Sequence, residues 1–234
     1  MKNLNSYHKR ILFFGRAKCD LSESIFKQLK SLNFDVTFIE SNKRGQKLPD
    51  KILTWEGDFI LCFRSLFILP RILLKKAKIA AINFHPGPPE YPGSGCINFA
   101  LYDNVEVFGV TAHVMNENID NGDIIEVRRF SIYPSDDLPT VLLRTHQELF
   151  NLCTDFIKEL NIVDEKIIQQ KINSSKEERW NGKARLLSEL DGLQTISLDI
   201  SKKELKQIIR ATYIKGYPPK IKLHGFNFVL KLND

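Results

Sequence analysis

Ile11-Leu12-Phe13-Phe14-Gly15 opens the regular pattern of this 234-residue chain, and the segments that follow it decide the fold. Four consecutive apolar residues ending at a glycine read as a buried strand. Ser22, Ile25, Phe26, Leu29 and Leu32 then recur at helical spacing, and residues 36–39 form a second apolar run. A polar loop over residues 40–50 leads to a third run at residues 59–63. A Leu- and Lys-rich segment over residues 66–79, broken near Pro70, precedes a fourth run at residues 80–84. Short apolar runs alternating with helical patterning predict the α/β class, with an open, mostly parallel sheet and flanking helices.

Beyond residue 105 the pattern changes. Residues 107–115 and 124–132 are β-rich and flank a segment at 116–123 that carries Asn, Asp and Gly. Leu138, Val141, Leu142, Thr145, Leu149, Leu152, Phe156 and Leu160 share one face of a long helix. Asp136 or Asp137 is available as its cap, and Pro139 sits in the first turn. Residues 163–183 are polar without strong periodicity and read as a loop-rich connection. A helix at 201–212 and strands at 220–223 and 226–232 complete the chain, with His224-Gly225 as a tight hairpin turn. The expected organisation is a Rossmann-like main domain over residues 1–162, then a linker with a small helix and β-hairpin unit over 163–234.

Hydrophobic residues at 43% and charged residues at 26% describe an ordinary soluble globular protein with material for a core. No apolar run is long enough to span a bilayer, and residues 1–10 are polar, unlike a signal peptide. A cytoplasmic chain without membrane contact is therefore expected. Cys19, Cys62, Cys96 and Cys153 lack C-x-x-C pairing, and the histidines lack ligand spacing, so neither a disulfide framework nor a metal is expected. The net charge of +6 is spread along the chain. It fits a solvated Lys-rich surface or an attraction for an anionic substrate. No recognition motif points to nucleic acid.

The densest unusual segment is Asn83-Phe84-His85-Pro86-Gly87-Pro88-Pro89-Glu90-Tyr91-Pro92-Gly93. Its prolines stiffen the backbone, and one X-Pro bond is open to the cis form. Asn83 and His85 are two apart, so a strand reaching that far points both to one side. The C-terminal ends of strands are where open α/β sheets hold ligands. Asp120, in Asn118-Ile119-Asp120-Asn121-Gly122-Asp123, offers a carboxylate able to orient an imidazole and raise its basicity. On residue chemistry alone, His85 is equally readable as a loop histidine bonded to backbone, and Asp120 as a turn residue.

Asn83-Phe84-His85-Pro86, with Pro89 and Tyr91-Pro92-Gly93, resembles the active-site signature of the folate-dependent formyltransferase family. The stretch from Gly109-Val110-Thr111-Ala112-His113-Val114 to Ile119-Asp120-Asn121-Gly122-Asp123-Ile124-Ile125 is similar to that family's second motif, and the likeness covers roughly residues 10–160. The resemblance implies transfer of formyl from 10-formyltetrahydrofolate to a neutral amine, without a metal. Asn83 and His85 would stabilise the oxyanion, while Asp120 would hold His85 and assist proton removal. It implies folate contacts at Phe63, Arg64, Ser65 and Leu66 and at Asn116, Glu117, Asn118 and Ile119.

Three acceptors compete. The family's initiator-tRNA enzymes carry a substantial basic β-barrel, for which the residues after Val163 are too few. Its purine-synthesis enzymes keep a Gly-rich phosphate loop, where this chain has Gly15-Arg16-Ala17-Lys18-Cys19-Asp20. Its sugar-nucleotide enzymes resemble this chain at residues 88–93, at Ile209-Arg210-Ala211-Thr212-Tyr213 and at Gly216-Tyr217-Pro218-Pro219. The resemblance therefore favours a nucleotide-linked amino sugar, dTDP-4-amino-4,6-dideoxyglucose by type, as made for bacterial surface polysaccharides such as O-antigen. Arg16, Lys18 and Tyr91 are its candidate contacts, and a homodimer built through the C-terminal unit is expected. The alternatives are a glycinamide-ribonucleotide-type acceptor, a formyl-folate hydrolase, or a non-catalytic folate or sugar-nucleotide binder.

Overall fold

The computed structural model describes residues 8–231. β1 (Arg10–Arg16), α1 (Asp20–Ser31), β2 (Asp35–Ser41), β3 (Gly57–Phe63), the short α2 (Arg71–Leu74) and β4 (Ala77–His85) form the first half. α3 (Cys96–Tyr102), β5 (Val107–Val114), β6 (Ile124–Ser131) and α4 (Leu138–Glu159) follow. The rest comprises α5 (Glu165–Ser174), α6 (Leu187–Leu193), α7 (Lys202–Thr212) and the hairpin β7 (Lys220–Leu223) and β8 (Phe226–Val229).

Six strands form one sheet in the order β2-β1-β3-β4-β5-β6. The pairs β1/β2, β1/β3 and β3/β4 are parallel, and β4/β5 and β5/β6 are antiparallel. Alternation along the strands explains the uninterrupted apolar runs. Ile11, Phe13, Phe59, Leu61 and Phe63 face α1 and α4, while Leu12, Phe14, Ile60 and Cys62 pack with Ile52, Trp55 and Leu73 on the other side. Both faces are covered, so neither set of alternating positions can be polar.

The long helix starts where its sequence places it. Asp137 is the cap, accepting from the Thr140 N–H at 2.9 Å, whereas Asp136 pairs with Arg144 at 2.7 Å. The His224-Gly225 turn has positive φ at both residues, 47° and 85°, as a tight hairpin of this twist requires. The expected end of the last strand at Leu232 lies outside the described residues.

Residues 163–183 differ from expectation. The loop-rich connection contains α5, capped by Asp164 through the Ile167 N–H at 2.8 Å. Only Ile167, Ile168 and Ile172 carry its apolar face, and they pack onto the core. So narrow a stripe among charged residues is a weak periodic signal, and its stability comes from that packing. α3 and α6 are likewise short helices that periodicity does not announce.

The Ile209-Arg210-Ala211 stretch docks α7. Arg210 Nε donates to the Asp136 carbonyl at 2.8 Å and Nη1 to Asn104 Oδ1 at 3.0 Å. Asn98 Nδ2 donates to the Ala211 carbonyl at 2.8 Å. The small terminal unit is thus fastened to α3 and to the start of α4.

Candidate active site

β4 ends with Asn83 and His85 on one face, and Phe84 between them turns into the core. β5 runs antiparallel beside it, with His113 directly opposite Asn83 and Thr111 opposite His85. Cross-strand partners project from the same face, so this register brings an amide and two imidazoles together. Asp120 enters from the loop joining β5 to β6, with a left-handed φ of 43° that Asp tolerates better than most residues.

The carboxylate of Asp120 is the hub. Its Oδ2 lies 3.2 Å from His85 Nδ1 and accepts from the Gly93 N–H at 2.9 Å. Its Oδ1 lies 3.4 Å from His113 Nε2 and accepts from Asn83 Nδ2 at 3.4 Å. His113 Nδ1 donates to the Val114 carbonyl at 3.0 Å, and its Nε2 lies 3.2 Å from Asn83 Nδ2 and faces the Asp120 carboxylate. His85 Nε2 faces the Tyr91 carbonyl at 3.1 Å, so both ring nitrogens of His85 face oxygen acceptors. A neutral ring donates to one of them, and an imidazolium donates to both.

Burial pulls the His85 imidazole below its ordinary 6.5, with Asp120 opposing. Burial pushes Asp120 up, but His85, His113 and the Gly93 N–H together outweigh it and hold the carboxyl at about 2. At neutral pH the pair is therefore a carboxylate beside a neutral ring, which has acceptors ready for a second proton.

Two glycines make the closeness possible. A Cβ on Gly122 would lie 1.7 Å from the Val114 carbonyl oxygen, so only glycine lets the Asp120 loop fold back on β5. Gly93 has φ +87°, and its Cβ would meet the Arg185 backbone at 2.5 Å. There the chain before α6 crosses the Pro-rich loop: Asn181 N–H donates to the Pro89 carbonyl, Arg185 N–H to Pro92, and Ser94 N–H to Arg185, at 2.9, 3.1 and 2.9 Å. Every peptide bond in the described residues is trans, so these prolines act by fixing φ.

A cavity of ≈ 470 Å³ opens over Asn83, His85 and Asp120. Arg64, Ser65 and Leu66 line one side, Asn116, Glu117, Asn118 and Ile119 another, and Leu186 and Leu187 a third. Arg16, Arg64 and His146 are shared with an adjoining groove of ≈ 680 Å³ that also holds Lys18, Cys19, Leu142 and Leu143. Burial lowers the Arg64 guanidinium, with Arg16 adding to the effect and Cys19 opposing; its Nη1 contacts Cys19 Sγ at 3.2 Å. His146 is pulled down to about 4 by burial, then by Arg64 and Arg16. Arg16 and Arg64 thus form a cationic corner beside a histidine held neutral.

Two sequence candidates lie elsewhere. The Phe63 ring is fully buried in the sheet core and does not reach the cavity. The Tyr91 hydroxyl donates to Asp103 Oδ2 at 2.9 Å and its ring packs near Phe108, away from the cavity. Tyr91 touches the site only through the carbonyl facing His85. Sequence reasoning missed His113, although it lies inside the quoted second motif, because its role depends on strand register. It also missed Trp180, whose indole N–H donates to the Gly122 carbonyl at 2.7 Å. That ring packs T-shaped against His113 and His85, with centroids 5.0 and 5.8 Å away. A lone Trp in a polar stretch was the only signal.

The formyl transferase family model matches residues 10–155. Among curated relatives, a methionyl-tRNA formyltransferase of Listeria innocua is 34% identical over 128 residues, covering 54% of this chain and 41% of that protein. A phosphoribosylglycinamide formyltransferase of Dictyostelium discoideum is 28% identical over 155 residues, covering 62% and 75%. The chain thus spans less than half of that tRNA enzyme. A solved sugar N-formyltransferase from Shewanella superposes with TM-score 0.72 at 19% identity, covering 97% of this chain and 98% of that one. An N-formyltransferase from Helicobacter canadensis, solved with folinic acid and dTDP-3-aminofucose, gives 0.63 at 17% identity, covering 94% and 85%. At such identities these two likenesses are of fold, whereas the family match covers more than half the chain: the chain belongs to the formyl transferase family.

Proposed function

We propose that this protein transfers a formyl group from 10-formyltetrahydrofolate to the amine of a nucleotide-linked amino sugar, of the dTDP-4-amino-4,6-dideoxyglucose type. The observation that carries the reading is the Asn83–His85–Asp120 cluster at the base of a cavity with a cationic corner. The lining of the cavity supports a folate as its occupant. Leu66, Phe67 and Leu74 offer an apolar wall to a flat ring, and the polar loop 116–119 leads directly to Asp120.

When a neutral amine attacks the formyl carbon, negative charge gathers on the formyl oxygen. The long contacts of the Asn83 amide, at 3.2 and 3.4 Å, are weak enough to exchange for that oxygen. Neutral His85 takes the proton released by the attacking nitrogen. The carboxylate of Asp120 then faces an imidazolium, and the Tyr91 carbonyl accepts from its other nitrogen. As the tetrahedral intermediate collapses, the bond between the formyl carbon and folate N10 breaks, His85 returns the proton to N10, and tetrahydrofolate leaves. Asp120, with its pKa near 2, is a weak base itself and acts through His85. No Ser or Cys needs activation, since an amine is a sufficient nucleophile.

For the acceptor, Arg16 and Arg64 supply charge for a diphosphate, and Leu142 and Leu143 supply an apolar shelf for a base. Full-length superposition on the Shewanella enzyme, whose name specifies a sugar, supports the same choice. A cytoplasmic place in surface-polysaccharide synthesis follows from that substrate. Among the described residues no helix is long and apolar enough to cross a membrane. We read the protein as a homodimer, because Phe226, Phe228 and Val229 are 70, 57 and 63% exposed on a free two-stranded edge. A strict monomer in sedimentation at micromolar concentration would end that part.

The test of activity is mass spectrometry of reactions with 10-formyltetrahydrofolate and a panel of dTDP-amino sugars, glycinamide ribonucleotide and charged initiator tRNA. A mass gain of one formyl group on an amino sugar is expected. Formylation of the ribonucleotide alone would transfer the reading to the acceptor of the Dictyostelium relative. Formate release without any adduct would mean a hydrolase.

A further inference from the structure

The family match ends at residue 155, yet one side chain from beyond it reaches the catalytic cluster. Trp180 follows α5 in a turn that lays it across the back of the β5–β6 loop. Its indole N–H ends on the carbonyl of Gly122, two residues after Asp120, at 2.7 Å. Its ring packs near-perpendicular to those of His85 and His113, at interplanar angles of 70° and 83°. The next residue, Asn181, bonds to Pro89 on the loop that follows His85. One short segment therefore grips both loops that converge on the Asp120 carboxylate. The conformation it grips is a constrained one: Asp120 sits in the left-handed region at φ 43°, and Gly122 approaches the Val114 carbonyl so closely that no Cβ would fit. Strained backbone of this kind persists when its surroundings over-determine it.

We infer that Trp180 is a positioning residue: it holds the Asp120 loop in register through Gly122 and keeps water from the His85–His113 pair. The segment beyond the family match is on this account part of the reaction centre. The kinetic arm rests on the proposed transfer reaction; the structural arm does not.

Two variants separate the functions of the indole. Trp180→Phe keeps a ring against the histidines and removes the N–H. With the Asp120 loop loosened, kcat falls about 10- to 100-fold, the scale of a sub-ångström to 1 Å misplacement, while KM for both substrates stays within about two-fold. Trp180→Ala also opens the cluster to water. The desolvation that favours neutral His85 then weakens, and its titration midpoint rises toward the ordinary histidine value against the unchanged Asp120, His113 and Tyr91 carbonyl. That midpoint is read from imidazole NMR signals, with His85→Gln and His113→Gln assigning the peaks and thermal unfolding confirming a folded chain. An inactive parent protein would sink the transfer reading and leave the NMR arm to decide for Trp180. An unmoved His85 midpoint in Trp180→Ala, or in an active parent a kcat for Trp180→Phe within two-fold, overturns the inference.

Discussion

Asp120→Asn keeps the shape of the hub and removes its charge. His85 Nδ1 and Asp120 Oδ2 are 3.2 Å apart, and both side chains are more than nine-tenths buried. With an effective dielectric of about 20, unit charges at that separation attract by about 5 kcal/mol. The resting His85 is neutral, so this attraction is absent from the ground state and appears as the ring takes up the amine proton. Interactions confined to the transition state lower the barrier to reaction. At about 1.4 kcal/mol per decade, 5 kcal/mol is between three and four orders of magnitude in rate. The retained amide dipole returns part of it, so kcat should fall about 1000-fold. KM should change little, because the residues proposed to contact the sugar nucleotide and the folate are untouched. Asp120 also raises the His85 pKa, so its loss should move the acid limb of the pH–rate profile to lower pH. The assay is steady-state formylation of the amino-sugar nucleotide across pH, with circular dichroism to confirm folding. A loss under ten-fold with an unmoved acid limb would refute the electrostatic argument.

Asn83→Ala should cost about 100–1000-fold in kcat, the usual effect of removing one oxyanion donor, and parity with the parent protein in single-turnover assays would exclude that role. Arg64→Ala should raise KM for the sugar nucleotide about ten-fold, with a smaller change in kcat and a difference that narrows in high salt. Calorimetric titration with dTDP gives the same comparison without turnover. Gly122→Ala drives a Cβ into the Val114 carbonyl and should destabilise the fold by about 3 kcal/mol, read from urea unfolding; a neutral result would mean the loop has room that the structure denies. His146, held near 4 in the folded chain against an ordinary 6.5, binds its proton more readily when unfolded. Its contribution to stability is therefore complete above about pH 6.5 and lost as pH falls toward 4. Tm should decline over that window and decline less in His146→Gln, and a flat profile in both would contradict the assignment.

Much of this architecture was legible in local pattern. Residues 11–14 and 59–63 are apolar without interruption because the sheet is covered on both faces, and that composition alone identifies buried strands. Asp137 and Pro139 mark the start of α4 through backbone chemistry that needs no partner. His85 and Asp120 were legible because rigid Pro-rich and Asn/Gly-rich loops are dense, unusual and close to strand ends. Other features depended on contacts between distant segments. His113 joins the site only because β5 pairs with β4 in the register that sets it opposite Asn83. Tyr91 and Phe63 were eligible by position, and packing turned one toward Asp103 and the other into the core. Trp180 and α5 lay in a stretch too polar to show a period, and their positions follow from a few isoleucines and one indole N–H finding partners on β6 and its preceding loop. Periodicity reports which face of an element is apolar. Which residues from separate elements meet around one carboxylate is decided by register and loop closure, and only the folded chain contains that information.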